Sequence, residues 1–126
     1  MRSIASNIAA KSSIDPAVQS ASVNGAGIDT LGFGSLAFLV QTGAIVGSGA
    51  FGVSLEDSDD NVAFAAVAAD QVKSNAPAVL AASSTYKLGY HGFKRYVRPI
   101  LTKASGTSVA AGAIAVLGNA AQRPVA

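Results

Sequence analysis

The stretch that decides the fold is residues 50–61, AFGVSLEDSDDN. Its first seven residues alternate, so that Phe51, Val53 and Leu55 share one side and small or polar residues share the other. A period of two is that of a β-strand. The acidic cluster that follows predicts a turn, because Asp and Asn side chains hydrogen-bond to their own backbone and tolerate left-handed angles. The stretch therefore predicts a strand that leads into a hairpin turn.

Further runs of strand length lie on both sides of this stretch, separated by glycine-rich or polar turns. The predicted strands are residues 19–23, 33–42, 62–67, 84–90, 93–102 and 107–117. A loop is expected over 43–49, where three glycines fall, and one or two helical turns over 68–75, before Pro77. Seven or so short strands at regular spacing predict an all-β fold, an antiparallel β-sandwich or barrel of about seven to eight short strands with an N-terminal arm.

The two last strands have the clearest patterns. In 93–102, Phe93, Val97 and Leu101 share one face, and Pro99 predicts an edge segment or a bulge because it cannot donate to a ladder. Arg95 falls in the same row, so we expect it to be partly buried and paired with an Asp of the 57–60 cluster. In 107–117 the residues in phase are Val109, Ala111, Ala113, Ala115 and Leu117.

The chain divides into an arm at residues 1–17, a sandwich domain at 18–118 and a tail at 119–126. In the arm, Ile4 and Ile8 are four residues apart, which suits a short amphipathic helix after a Ser3 cap or an extended arm that orders on a partner. With Ile14 they are candidate anchors. The N-terminus has no continuous apolar segment of the signal-peptide type, so the protein is expected in the cytoplasm where it is made.

The composition narrows the functional classes. The chain has 126 residues, enough for one domain, and 50% of them are hydrophobic while only 13% are charged. So few charges indicate that other subunits cover part of the surface, and we expect a homo-oligomer. The absence of cysteine excludes disulfides, cysteine-zinc sites and thiol catalysis. The net charge of +2 is weak evidence for nucleic acid.

Two uncharged runs, 30–55 and 104–122, exceed the length of a transmembrane helix. The first is interrupted by Gln41 and Thr42 and by several glycines, and the second consists mainly of small residues. A small holin-like membrane protein therefore stays an alternative to the sandwich.

No catalytic or metal-binding pattern is complete. Asp57-x-Asp59-x-Asn61 matches the opening of a calcium loop, but the Gly and Glu required later are replaced by Val62 and Ala68. His91 lies in a glycine turn without the nucleophile or orienting carboxylate that a catalytic histidine needs. We therefore expect a protein that is not an enzyme and that needs no cofactor and no metal.

A basic, aromatic stretch follows residue 85. Its cations fall on both faces of the predicted strand, which favours an interface strand or a charged sheet edge over a nucleic-acid surface. The candidate interface residues are Ile4, Ile8, Ile14, Tyr90, His91, Lys94, Tyr96 and Arg98.

Three segments together resemble small β-rich virion proteins encoded in tailed-phage structural modules. They are GAFGVSLEDSDDNVAFAAV (49–67), YKLGYHGFKRYVRPILT (86–102) and AIAVLGNAAQRPV (113–125). One departure is Asn61, where such hairpins often carry Gly. The resemblance implies a capsid decoration (cement) protein of the virion, bound to the major capsid protein and assembled as a homo-oligomer, with a trimer favoured. It implies neither a nucleic acid nor a membrane as partner. A neck, tail or other soluble binding module remains a further alternative.

Overall fold

The computed structural model describes residue 1 and residues 3–125. They form ten strands: Ala9–Gln19 (β1), Val23–Asn24 (β2), Ile28–Asp29 (β3), Phe33–Val46 (β4), Ala50–Ser58 (β5), Ala65–Ala66 (β6), Val72–Ser74 (β7), Thr85–Tyr90 (β8), Tyr96–Ser105 (β9) and Ser108–Ala120 (β10). Two short 3-10 turns, Ala5–Asn7 and Ala69–Gln71, complete the regular structure of this part of the chain.

The strands make two antiparallel sheets. The larger sheet has the order β1-β10-β4-β8-β7, and the smaller one has β9 between β5 and the two short strands β2 and β3, with β6 beyond β5. The predicted all-β, antiparallel fold is confirmed. The two sheets stay separate and share one core, so the architecture is a sandwich and not a closed barrel.

The core is built from the in-phase residues of both sheets. β10 contributes the alternating series from Val109 to Leu117, all of which are buried as predicted. β4 adds Phe38 and β5 adds Phe51, both almost fully buried. The buried side chains of both sheets form one continuous cluster.

The loop expected over 43–49 is mostly strand. β4 continues to Val46, because Gly43 fits against β10 where a Cβ would lie only 3.2 Å from that of Ala110. The turn is confined to 47–49, where Gly47 and Ser48 adopt positive φ angles.

The strand predicted over 62–67 is reduced to Ala65–Ala66, and Val62 is exposed. The cause is Asp60, whose Oδ1 accepts hydrogen bonds from the backbone N–H groups of Val62 and Ala63, both at 3.0 Å. These bonds hold the chain in a turn for longer than the apolar pattern suggested.

The strand predicted over 93–102 begins only at Tyr96, so Phe93 is outside it and exposed. Residues 91–95 instead cross from the larger to the smaller sheet. Pro99 lies within a paired strand, where it faces the break between β2 and β3. Its carbonyl accepts a hydrogen bond from Gly25 N at 2.7 Å, and no ladder donor is needed there.

The N-terminal segment differs from the expected arm. Strand β1 begins at Ala9 and pairs with β10, so a boundary at residue 17 falls inside a strand. Register shifts on both sides of Ile14 let this edge strand pass through Pro16. Ile14 is only 5% exposed and belongs to the core. It is therefore a packing residue, unlike Ile4 and Ile8 before it.

Smaller differences concern the remaining predictions. The strand predicted over 19–23 is divided between the end of β1 and β2. Residues 68–75 form one 3-10 turn followed by β7, and β10 extends to Ala120. The two uncharged runs form β4, β5 and β10. Within residues 1 and 3–125, no helix has the length and hydrophobicity that crossing a bilayer requires.

Candidate functional site: the loop end of the sandwich

The strand directions bring the candidate interface segments to one end of the sandwich. β1, β4 and β9 begin there, while β5, β8 and β10 end there. We call this region the loop end and define it as residues 3–8, 30–35, 59–64, 91–95 and 119–125. The N-terminal segment and the basic stretch, which are 80 or more positions apart in the sequence, therefore belong to the same surface region.

Backbone hydrogen bonds join the segments of the loop end in series. Arg95 O accepts from Thr30 N at 2.9 Å, Gly32 O accepts from Ala121 N at 2.9 Å, and Ser6 O accepts from Val125 N at 2.7 Å. The Thr30 hydroxyl adds a second bond to Arg95 O at 2.7 Å. The loop end is thus a connected structure, in which the tail is fixed to the N-terminal segment.

Tyr90 anchors the crossing segment 91–95. Its hydroxyl donates to Asp57 Oδ2 at 2.7 Å and accepts from Lys94 N at 3.0 Å. Burial, and then the bond to the Asp57 carboxylate, raise the pKa of Tyr90 to about 12. Gly92 is required next to it, because a Cβ at this position would collide with the Tyr90 hydroxyl. Tyr90 is therefore held in place as a neutral phenol.

Arg95 forms the best-defined ion pair of the loop end. Its Nε and Nη2 donate to the two carboxylate oxygens of Asp29 at 2.9 and 2.7 Å. This two-point geometry is the strong form of an arginine–carboxylate contact. The Arg95 bond, followed by a backbone bond from Leu31, lowers the pKa of Asp29 to about 2. The expected pairing of Arg95 with the 57–60 cluster is wrong, because Arg95 precedes β9 and does not follow the alternation of that strand.

Two further cations of this stretch, Lys94 and Arg98, also have acidic partners, whereas Lys87 is in none of the three ion pairs of the described residues. Lys94 Nζ lies 2.7 Å from Asp59 Oδ2, and this bond raises the pKa of Lys94. Further along β9, Arg98 donates to Glu56 Oε1 at 3.0 and 2.7 Å. Its guanidinium also lies over the ring of Phe64, 4.0 Å from the centroid. The stretch therefore presents ion pairs where a nucleic-acid surface would present bare cations.

Large apolar side chains are exposed at the loop end. Ile4 is 66% exposed, Leu31 69% and Phe93 82%, and Val62 is also exposed. Isolated exposed apolar residues are common on protein surfaces, but several at one end of a small domain indicate a contact region. The candidate interface residues predicted from the sequence did not include Leu31, Val62 or Phe93. The only available signal was an apolar residue next to turn residues, which also occurs in ordinary loops.

The structure brings most of the candidate interface residues together. Ile4, Ile8, His91 and Lys94 lie in the loop end itself. Tyr90, Tyr96 and Arg98 lie in the adjoining strands. His91 is exposed, and its backbone N–H donates to Gln71 O at 2.7 Å. Ile14 alone is separated from the rest, because it points into the core.

Within the acidic turn at 57–61, Asp60 is satisfied by the turn itself. Besides its two backbone donors, Asp60 Oδ1 accepts the Ser58 hydroxyl at 2.8 Å, and the backbone bonds lower the pKa of Asp60. Asn61 takes a positive φ of 61°. No group of three or more His, Cys, Asp or Glu residues in the described part of the chain is arranged to hold a metal ion. This turn thus shapes the loop end through its hydrogen bonds.

No protein-family model, no curated protein and no solved structure matches this chain.

Proposed function

We propose that this chain is a structural protein of a tailed-phage virion that decorates and stabilises the capsid shell, and that it contacts the shell through the loop end. The observation that carries the proposal is the set of exposed apolar side chains at one end of the sandwich, where ion pairs and backbone hydrogen bonds hold the loops in place. The resemblance of residues 49–67, 86–102 and 113–125 to small virion proteins supplies the identity of the partner, the major capsid protein.

Loops that are already held in one conformation favour binding, because they lose little conformational freedom when a partner binds. Tyr90, Asp29 and Thr30 already hold residues 91–95 and 30–33 in one conformation. Ordering loops and side chains is a main cost of association, and a preformed surface avoids much of it. Ion pairs such as Lys94–Asp59 lie in the same loops as the exposed apolar side chains, and interfaces commonly combine apolar and polar contacts.

The apolar contact is modest for each copy. Burying a large apolar side chain stabilises a complex by about 1.5–3 kcal/mol. Ile4, Leu31 and Phe93 are already partly covered, so together they contribute about 3–6 kcal/mol on the same scale. Repeated copies on a closed shell strengthen such weak contacts through avidity. A decoration protein binds its shell in many copies, so a small contact that is repeated in every copy is sufficient.

The test is binding of the purified protein to shells of its own virion from which it has been removed. The variant Ile4→Ser, Leu31→Ser, Phe93→Ser should lose most of its binding while it keeps a β-rich circular dichroism spectrum. The matched control is Val46→Ser, Val79→Ser, which changes exposed valines near the opposite end and should bind like the wild type. Equal binding by both variants would remove the loop end as the contact. Absence of wild-type binding to shells, with binding to necks, tails or membranes, would replace the proposal by the corresponding alternative.

A further inference from the structure

The outer face of the larger sheet has an apolar groove that shell binding by the loop end does not use. The groove holds about 560 Å³ and runs along β10 between β1 and β4. Its floor includes Gly112 and Ala110, and its walls include Val18, Leu39 and Ile114. None of the residues that line it is charged. Val18 and Ile114 are large apolar side chains exposed on this face.

We propose that this face binds the same face of a second copy of the chain, so that two sandwiches pack sheet against sheet around a twofold axis parallel to the strands. A twofold contact places one patch against itself, so an uncharged, apolar patch meets a partner of the same character. Ile114 pairs with Leu39 across β10 and β4, so the two side chains lie at one height on this face and can meet the same pair of the second copy.

The exposed area of the chain agrees with one missing contact of ordinary size. The accessible surface is 7047 Å². A compact monomer of this mass exposes roughly 6,200 Å², so the chain exposes about 850 Å² more. A standard protein–protein interface covers about 800 Å² on each partner. The excess is comparable in size to what one such contact would cover.

The charges at the rim of the face fix the direction of the axis. Asp15 lies at the β1 edge, where the Ser12 hydroxyl donates to its Oδ1 at 2.8 Å. Lys87 lies on β8 directly opposite Leu39, a groove residue, so it shares the outer face. Neither forms an ion pair within the described residues. The uncharged centre thus has one acidic residue at its β1 edge and one basic residue on its β8 side.

An axis parallel to the strands, midway between β10 and β4, superposes β1 of one copy on β8 of the other. Asp15 lies between the partners of Ala113 and Ala111, and Lys87 is level with Ile114, so their heights along the strands differ by only ~7 Å. Each Asp15 then faces the Lys87 of the second copy, twice in the dimer. An axis across the strands would place β1 against β1, and the like charges of the two Asp15 side chains would repel.

The contact does not depend on the proposed function, because it uses a different surface. A self-complementary face closes at two copies and not at the three that the resemblance favours, so the 126-residue chain should sediment at about twice its 12.5 kDa at micromolar concentration. Ile114→Lys should make it monomeric, whereas Val79→Lys, at a more exposed valine outside this face, should leave the dimer intact. Circular dichroism is the control that checks whether each variant is folded.

Charge reversal tests the orientation. Asp15→Lys and Lys87→Asp should each raise the dimer dissociation constant at least tenfold, and the double variant should return it to within about threefold of the wild type. A monomeric or trimeric wild type, or a dimer unaffected by Ile114→Lys, would overturn the proposal. A double variant as weak as the single ones would overturn the parallel axis.

Discussion

The Tyr90 hydroxyl, at the end of β8 in the larger sheet, donates a 2.7 Å hydrogen bond to Asp57 Oδ2 on β5 in the smaller sheet. The same oxygen accepts from Lys94 N, in the segment that crosses between the two sheets. One side chain therefore joins both layers to their connection. This contact therefore holds the crossing segment 91–95 against both sheets.

Tyr90→Phe should loosen the loop end without unfolding the sandwich. The change leaves the half-buried Asp57 without its phenol donor and Lys94 N without its acceptor, which should lower the free energy of unfolding by about 1–2 kcal/mol. Backbone amides of 91–95 should exchange with solvent faster, because the crossing segment loses its anchor. Urea unfolding and hydrogen exchange measure the two effects.

Tyr96→Phe is the matched control for this experiment. The Tyr96 ring is also half-buried, but its hydroxyl has no hydrogen-bond partner within the described residues. Its removal should change the unfolding free energy by less than about 0.5 kcal/mol. If both variants behave alike, the Tyr90 hydroxyl has no special role.

The Asp29–Arg95 pair should make stability depend on pH in the acid range. The folded-state pKa of Asp29 is about 2, below its ordinary value of 3.8. The pair therefore contributes fully above about pH 4, and its contribution is lost as the pH falls toward 2. Because both side chains are more than a third exposed, the contribution should be at most about 1 kcal/mol.

Asp29→Asn should destabilise the protein at pH 6 and should have a smaller effect at pH 2.5, where the wild-type pair is already weakened. Urea unfolding at the two pH values measures the difference. Asp70→Asn, at an exposed acid outside the three ion pairs, should change stability little at either pH. If Asp29→Asn lowers the free energy of unfolding equally at both pH values, the loss has a cause other than the charge of Asp29.

Gly25→Ala should test how closely the chain packs over Pro99. A Cβ on Gly25 would lie 2.7 Å from Pro99 Cγ and Cδ, and neither the ring nor the backbone can move far within the core. We expect a loss of about 1–3 kcal/mol, as for other overpacked sites. Gly89→Ala is the control, because its nearest neighbour would be at an ordinary 3.6 Å. Equal stability of the two variants would contradict this packing.

Alternation predicted the long strands well, because each buries one face along its whole length. Phe51 and Leu55, and the β10 series from Val109 to Leu117, are buried as their spacing indicated. The pattern failed where hydrogen bonds from the backbone to a side chain stabilise a turn in place of a strand. Asp60 turns the chain away from a strand that Val62 and Phe64 would otherwise favour.

The candidate site could be predicted only in parts. The N-terminal isoleucines and the basic stretch were both identifiable, but no local pattern showed that they share one end. That follows from strand order, because β1 begins where β8 ends, and long-range pairing has no signature in a single segment. Ile14 was misplaced because Pro16 suggested an end to the segment, whereas a bulged edge strand accommodates this proline.

Deleting residues 1–7 should separate binding from folding. The 3-10 turn Ala5–Asn7 has no buried residue, so its loss should lower the free energy of unfolding by less than about 1 kcal/mol. It also removes Ile4, and on the proposed function shell affinity should fall about tenfold or more per copy.

A deletion of 1–14 has a different effect, because it takes away the part of β1 that covers β10 and the buried Ile14. That loss should destabilise the protein by about 2–5 kcal/mol from Ile14 alone, and the uncovered edge of β10 should promote aggregation. Thermal unfolding and sedimentation of both truncations, with shell titration of the shorter one, measure these effects. Full shell affinity after removal of 1–7 would leave Leu31 and Phe93 as the contact, whereas a stable, monodisperse protein without 1–14 would contradict the role of β1 as an integral strand.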